Sequence, residues 1–347
     1  MPLMNFCVSE GTQHLTIFAA ASGGMDRSMD FLISMFNSLP GVAAEGLFYG
    51  IFALGVFITY KVLDVADLTV DGSIVTGCAV TTICILYGVP PLLAVFVAFI
   101  AGMLAGALTG FFHTTLKIPA ILAGILAQFS LYTINMIVMG AQAYLKEDGT
   151  NRAPIPMSPT AYASVSDFPL IVSSRDKTAS MIVGFVFVVA IIALLYWFFG
   201  TEFGCSLRAT GANPKMARAQ GINTNSATVF GLMLSNGFVA LAGGLLSQYT
   251  GGSNITFGAG AIVIGLASII IGEVLCNSIF KKGANFAVKL AFVVFGSIVY
   301  SLIKRFVINA GLDTNFLKLI SAVIVAIFLS APNFKGMSAH KGAKKEA

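Results

Sequence analysis

Apolar residues in this chain come in long runs, not at alternating positions. Residues 46–63, 92–112, 119–139, 180–199, 228–246, 262–280, 286–303 and 316–331 each approach the roughly 20 residues a helix needs to cross a bilayer. Residues 74–87 form a shorter run, which spans only if the preceding DVADLTVDGS, residues 64–73, enters the membrane with it. The pattern predicts an all-α polytopic membrane protein of about nine transmembrane helices, broken near 64–73. Gly88-Val89-Pro90-Pro91 and residues 113–118 supply tight turns. Residues 247–260, SQYTGGSNITFGAG, are uncharged and glycine-rich, which suits a re-entrant segment buried among helices.

Three polar regions punctuate the runs. Residues 1–45 form an N-terminal extension with no basic start ahead of an apolar core, unlike a secretory signal. Within it Phe31, Leu32, Met35, Phe36 and Leu39 recur at helical spacing. Residues 28–39 therefore read either as a helix lying on the membrane surface or as one short packed helix. Residues 140–177 carry Pro154, Pro156, Pro159 and Pro169 and are not one regular helix. Residues 201–227 are the long polar stretch of the second half. They contain a short helix with both ends marked: Asn213 to cap, Pro214 at its first position, and Gly221 just past its end at Gln220. A basic tail, 332–347, follows the membrane domain 46–331.

Composition sharpens this picture. The 347 residues are 57% hydrophobic and 10% charged, against about 25% charged in a soluble domain, so the bilayer must be the main surrounding of this chain. The net charge of +5 is spread over loop ends, which points to topology and not to nucleic acid. With 201–227 cytoplasmic, the inner side holds eleven basic residues (Lys61, Lys117, Arg208, Lys215, Arg218, Lys281, Lys282, Lys335, Lys341, Lys344 and Lys345). The outer side then holds seven (Arg27, Lys146, Arg152, Arg175, Lys177, Lys304 and Arg305). That bias places the N-terminus outside and the C-terminus in the cytoplasm. The five cysteines and three histidines form no metal or redox motif.

Candidate chemistry is sparse. Gly102, Gly106 and Gly110 form a smooth stripe for close helix packing. Asp67, Thr69, Asp71 and Ser73 suit two roles, capping a broken helix or meeting solute at a path or gate. Glu273 is the one acid inside a predicted span; it serves an interior hydrogen bond, the cytoplasmic end of a helix, or a coupling site. Asn135, Asn236 and Gln248 are polar groups that either bond neighbouring helices or line a path. No GxSxG, HExxH or GxxxxGK[ST] occurs; the dipeptide Gly-Lys is absent throughout, so any ATP and Mg would be bound by another subunit.

The segment FGCSLRATGANPKMARAQGIN resembles the cytoplasmic coupling loop of bacterial ABC importer permeases of the branched-chain amino acid and ribose type. LGVFITYKVLDVADLTVDGS and GAGAIVIGLASIIIGE resemble the uncharacterised, tryptophan/tyrosine-type subgroup more closely. The resemblance implies a non-enzymatic permease subunit in the bacterial inner or cell membrane, paired as a homodimer. It implies an ATP-binding subunit in the cytoplasm and an external substrate-binding protein. It also implies that Arg208, Gly211, Asn213, Pro214, Ala217, Arg218, Ala219 and Gly221 serve ATPase coupling. The solute would be small, an amino acid and possibly an aromatic one. The alternative is a proton- or ion-coupled secondary transporter using Glu273, Asp67 or Asp71.

Overall fold

The computed structural model describes residues 38–146, 162–164, 170–174, 176–280 and 285–309, with positions 319, 323 and 326 besides. The chain is built from helices: α1 (Ser38–Val62), α2 (Val70–Leu86), α3 (Pro91–Thr114), α4 (Ala120–Lys146), α5 (Lys177–Gly200), α6 (Glu202–Ala212), α7 (Pro214–Ala219), α8 (Thr224–Thr250), α9 (Ala261–Phe280) and α10 (Phe286–Asn309). Among the described residues seven helical segments are long and apolar enough to cross a membrane, and α2 is a shorter apolar helix. The predicted ninth span, 316–331, lies outside the described residues apart from positions 319, 323 and 326; of the helix predicted over 28–39 only Ser38 and Leu39 are described, as the start of α1, and most of 140–177 and the whole basic tail lie outside.

α1 and α8 form the interior, with 83% and 78% of their most apolar windows buried, while the corresponding windows of α3, α4 and α5 are 39%, 33% and 28% buried. The outer helices turn Phe96, Leu104, Phe129, Phe185 and Trp197 outward, a surface suited to acyl chains. α3 and α2 pack on α8, and α9 packs on α10. α1 is stapled to two neighbours through its backbone: the Ser235 hydroxyl donates to Gly55 O and the Ser297 hydroxyl to Gly46 O, both at 2.7 Å. Close approach explains the predicted glycine stripe. A methyl at Gly102 or Gly106 would overlap the backbone of α8 at Asn236 or Leu232, and one at Gly110 would press on Val229.

Several boundaries differ from the hydropathy pattern: α1 begins at Ser38, inside the predicted extension 1–45, because Val42, Ala44, Leu47 and Phe48 are buried in the bundle, and α4 and α10 run on to Lys146 and Asn309. α8 continues to Thr250, because Gln248, fully buried, donates to Pro91 O at 3.1 Å and accepts from Ile171 N at 3.3 Å. A polar residue partnered in this way extends the helix where its sequence reads as loop. Between α8 and α9 stand a strand, β2 (Gly252–Asn254), and one 3-10 turn, Ile255–Gly258. β2 pairs antiparallel with β1 (Tyr162–Ser164) from the outer loop, Tyr162 opposite Asn254 and Ser164 opposite Gly252.

The break predicted near 64–73 lies between α1 and α2. α1 ends in a π-helical turn, Ile58–Val62, and the chain runs irregularly until Val70. This stretch is partly inside the bundle: Leu63, Asp67 and Thr69 are buried, whereas Asp64 and Ala66 are exposed.

Candidate functional site

The polar stretch between α5 and α8 folds as three consecutive capped helix starts. Thr201 Oγ1 accepts from Gly204 N at 3.3 Å to open α6, and Asn213 Oδ1 accepts from Met216 N at 3.1 Å to open α7. Asn223 Oδ1 accepts from Ser226 N at 3.2 Å to open α8. α7 closes as the sequence predicts, one residue early. Gly221, at φ 82°, takes the left-handed position; its N–H bonds Arg218 O and the Ile222 N–H bonds Ala217 O, each at 3.0 Å. α6 was not predicted. Its signal is Thr201 as cap with Glu202 in the first turn, masked by a mixture of small and polar residues that hydropathy reads as loop.

Side-chain directions correct one physical expectation. The small side chains of Ala217 and Ala219 suggest a helix pressed closely into a partner's groove. In the structure Ala217 is buried within its own chain, whereas Lys215, Met216, Arg218 and Ala219 are exposed. Ala217 therefore seats α7 on the helix bundle, and the outward face is basic with Met216 at its centre. Arg218 Nε donates to Thr224 Oγ1 at 2.7 Å, tying α7 to α8. Arg208 Nη2 donates to Phe199 O at 2.6 Å, satisfying a carbonyl in the last turn of α5. Gly211 meets the end of α1, where a methyl would overlap the carbonyl of Val62.

A polar network lies halfway along α8. Asn236 Nδ2 donates to Asp67 Oδ2 at 2.7 Å, and Ser73 Oγ donates to Asn236 Oδ1 at 2.6 Å. Asp67 Oδ1 accepts from Thr69 N at 2.9 Å, and Thr69 Oγ1 shares a 2.6 Å hydrogen bond with Thr109 Oγ1. Thr109 was missed, because it lies in the glycine-striped helix that reads as packing alone. Asn135 joins from α4, its Nδ2 donating to Gly72 O at 3.2 Å. The buried Asp67 carboxylate is thus satisfied by neutral donors; among the described residues it forms no ion pair.

Asp71 caps a helix, though not its own. Its Oδ1 accepts from Ile262 N at 2.7 Å and its Oδ2 from Gly260 N at 3.3 Å, so the carboxylate stands at the N-terminus of α9. The starts of α2 and α9 therefore meet at one residue, beside exposed Thr256, Ala259 and Gly260. The remaining candidates are dispersed. Gln248 fastens the other end of α8 to the start of α3. Glu273 makes a 3.0 Å ion pair with Lys61, both about two-fifths exposed. That pair lines a cavity of about 650 Å³ with Asp64, Arg208, Gly211 and Lys289, beside α6.

These features define a membrane permease: a bundle of apolar helices, polar groups held at helix breaks inside it, and a short capped helix presented at one end. The chain belongs to the family described as branched-chain amino acid transport system / permease component, whose model matches residues 38–331. It is 35% identical over 297 residues to the tyrosine transport system permease protein of Clostridioides difficile, covering 86% of this chain and 92% of that one. It is 32% identical to the uncharacterized protein RP368 of Rickettsia prowazekii, covering 80% and 91%. It is 26% identical to the inner membrane ABC transporter permease protein YjfF of Escherichia coli, covering 83% and 81%. These relatives agree with the resemblance drawn from residues 201–227.

Proposed function

We propose that this chain is the membrane subunit of an ATP-binding-cassette importer, without an ATPase site of its own. Two copies form the path, a separate subunit binding ATP and Mg docks on α7 from the cytoplasm, and an external binding protein delivers the solute. The observation that carries this reading is α7 itself. It is a six-residue helix capped at both ends, seated by Ala217 and showing Lys215, Met216 and Arg218 outward. A solvated loop needs no such construction. On this reading residues 201–227 and the basic tail 332–347 lie in the cytoplasm, and the N-terminus and residues 140–177 outside.

Transmission follows from contact. α6 abuts α1 where Gly211 meets Val62, and the chain leads from there through 63–69 to Asp67 and Asp71. A shift of α7 and α6 thereby bears on the residues that hold the starts of α2 and α9. Asp71, part-buried beside exposed Thr256, Ala259 and Gly260, is the group that meets solute on this reading. Asp67, Thr69, Ser73, Asn135, Asn236 and Gln248 hold the helices that frame it. The solute is an amino acid, and the tyrosine permease relative favours an aromatic one.

The decisive experiment reconstitutes the permease in vesicles with and without a P-loop ATPase subunit that co-purifies with it, and follows radiolabelled tyrosine and tryptophan. ATP-dependent uptake that requires the second subunit is expected. Uptake by the permease alone, abolished by collapsing an ion gradient, would instead establish the ion-coupled alternative. The observation favouring that alternative is the buried Asp67; Glu273, ion-paired to Lys61 and part exposed, gives it less support.

A further inference from the structure

α7 is flanked by a second presented element, the turn between α3 and α4. The turn is closed by Thr115 N–H and Leu116 N–H to Phe111 O and by Ile118 N–H to Phe112 O, at 3.0, 3.3 and 3.2 Å. His113 Nδ1 lies 2.8 Å from Ile118 O, and Lys117 holds φ 56°. This backbone is specified in detail, and its tip is presented outward: Thr115, Leu116 and Lys117 are all exposed. A groove of about 690 Å³ separates the turn from α7, lined by His113, Lys117, Pro214, Arg218 and Asp64 among others.

The groove is basic. Lys117 has no hydrogen-bond or ion-pair partner among the described residues, and Arg218 uses only Nε, on Thr224. Asp64 is the single carboxylate in the lining. On either side stands an exposed apolar side chain, Leu116 on the turn and Met216 on α7, 53% and 61% exposed. Apolar anchors around a positive centre are the features of a protein-binding patch whose partner supplies the opposite charge.

We infer that the ATP-binding subunit grips two elements, α7 and the α3–α4 turn, and inserts an acidic side chain between Lys117 and Arg218. This rests on the coupling role proposed for α7 and extends it to a surface 100 residues earlier in the chain. Two separated grips resist rotation about either one, so the second grip fixes the direction in which the partner's motion is delivered.

The test measures binding of the ATPase subunit to the full permease in nanodiscs of neutral lipid, at low and high salt. Lys117→Glu places like charges face to face and is expected to weaken binding at least about tenfold at low salt. The difference should shrink at about 0.5 M salt, where the screening length falls to a few ångströms. A Glu→Lys or Asp→Lys change on the ATPase subunit should restore it. Lys177→Glu, on the opposite end of the molecule, should bind as the native chain does, and the melting temperature of Lys117→Glu should be unchanged because Lys117 is exposed. Native affinity for Lys117→Glu together with weakened binding by Met216→Asp would overturn the second grip and leave coupling through α7 intact. Native affinity for both would remove the coupling reading as well. Equal weakening by Lys117→Glu and Lys177→Glu, or an effect seen only with anionic lipid, would show a charge serving the bilayer and not the partner.

Discussion

Gly211→Ala isolates the contact through which α6 bears on α1. A methyl group there overlaps the Val62 carbonyl and comes within 2.9 Å of Leu63 Cα. Both neighbours are backbone, so no flexible side chain can turn aside. Inserting one methyl group into such a site costs about 1–3 kcal/mol, which the chain relieves by separating α6 from the π-turn. A loss of about 1.4 kcal/mol in that contact corresponds to about tenfold in the equilibrium it biases. The outward face of α7 is untouched, so the ATPase subunit should still bind within about twofold of its native affinity. Solute delivered per ATP hydrolysed should fall by about tenfold. The assay compares uptake with phosphate release in vesicles containing both subunits. Gly200→Ala is the matched control, since a methyl there meets nothing within 4 Å. A well-folded Gly211→Ala protein with native uptake per ATP would refute transmission through this contact.

Four further outcomes are expected. Asn236→Ala withdraws the 2.7 Å donor from Asp67 and leaves a buried carboxylate short of a partner, lowering stability by about 3 kcal/mol, read by thermal unfolding in detergent. Asp71→Asn weakens the anionic cap of α9 by about 1 kcal/mol; competition uptake assays should show altered solute preference if Asp71 faces the path, and an unchanged preference assigns it to packing alone. Asn213→Ala removes the cap of α7 at a cost of about 1 kcal/mol, and binding of the ATPase subunit should weaken several-fold while the rest of the fold melts normally. Glu273→Gln breaks a part-exposed pair with Lys61 and should change stability by under about 1 kcal/mol with solute choice unaltered, as seen by the same melting and uptake measurements.

The parts legible in the sequence are those written locally. Asn213, Pro214 and Gly221 announce α7 because a cap, a fixed φ and a left-handed residue act within one turn of themselves. Apolar runs announce the long helices because hydrocarbon requires length. What escaped depends on residues distant in the chain. Asp71 reads in the sequence as either a cap or a path residue, and the helix it caps begins some 190 positions later. Gln248 reads as loop until Pro91 and Ile171 are seen to satisfy it. Ala217 and Ala219 are the same residue type two positions apart, and only tertiary packing turns one inward and leaves the other exposed. Arg208 matches a coupling pattern, yet its guanidinium is engaged on α5.

The β1–β2 strand pair has a consequence for how such proteins diverge. β1 and β2 are joined by main-chain groups, and a ladder of amides and carbonyls spells no side-chain identity. Mutations in Tyr162–Ser164 that keep a strand therefore preserve its attachment to Gly252–Asn254 while altering the side chains it presents. A lineage can therefore change the chemistry of this strand without unfastening the segment that leads into α9.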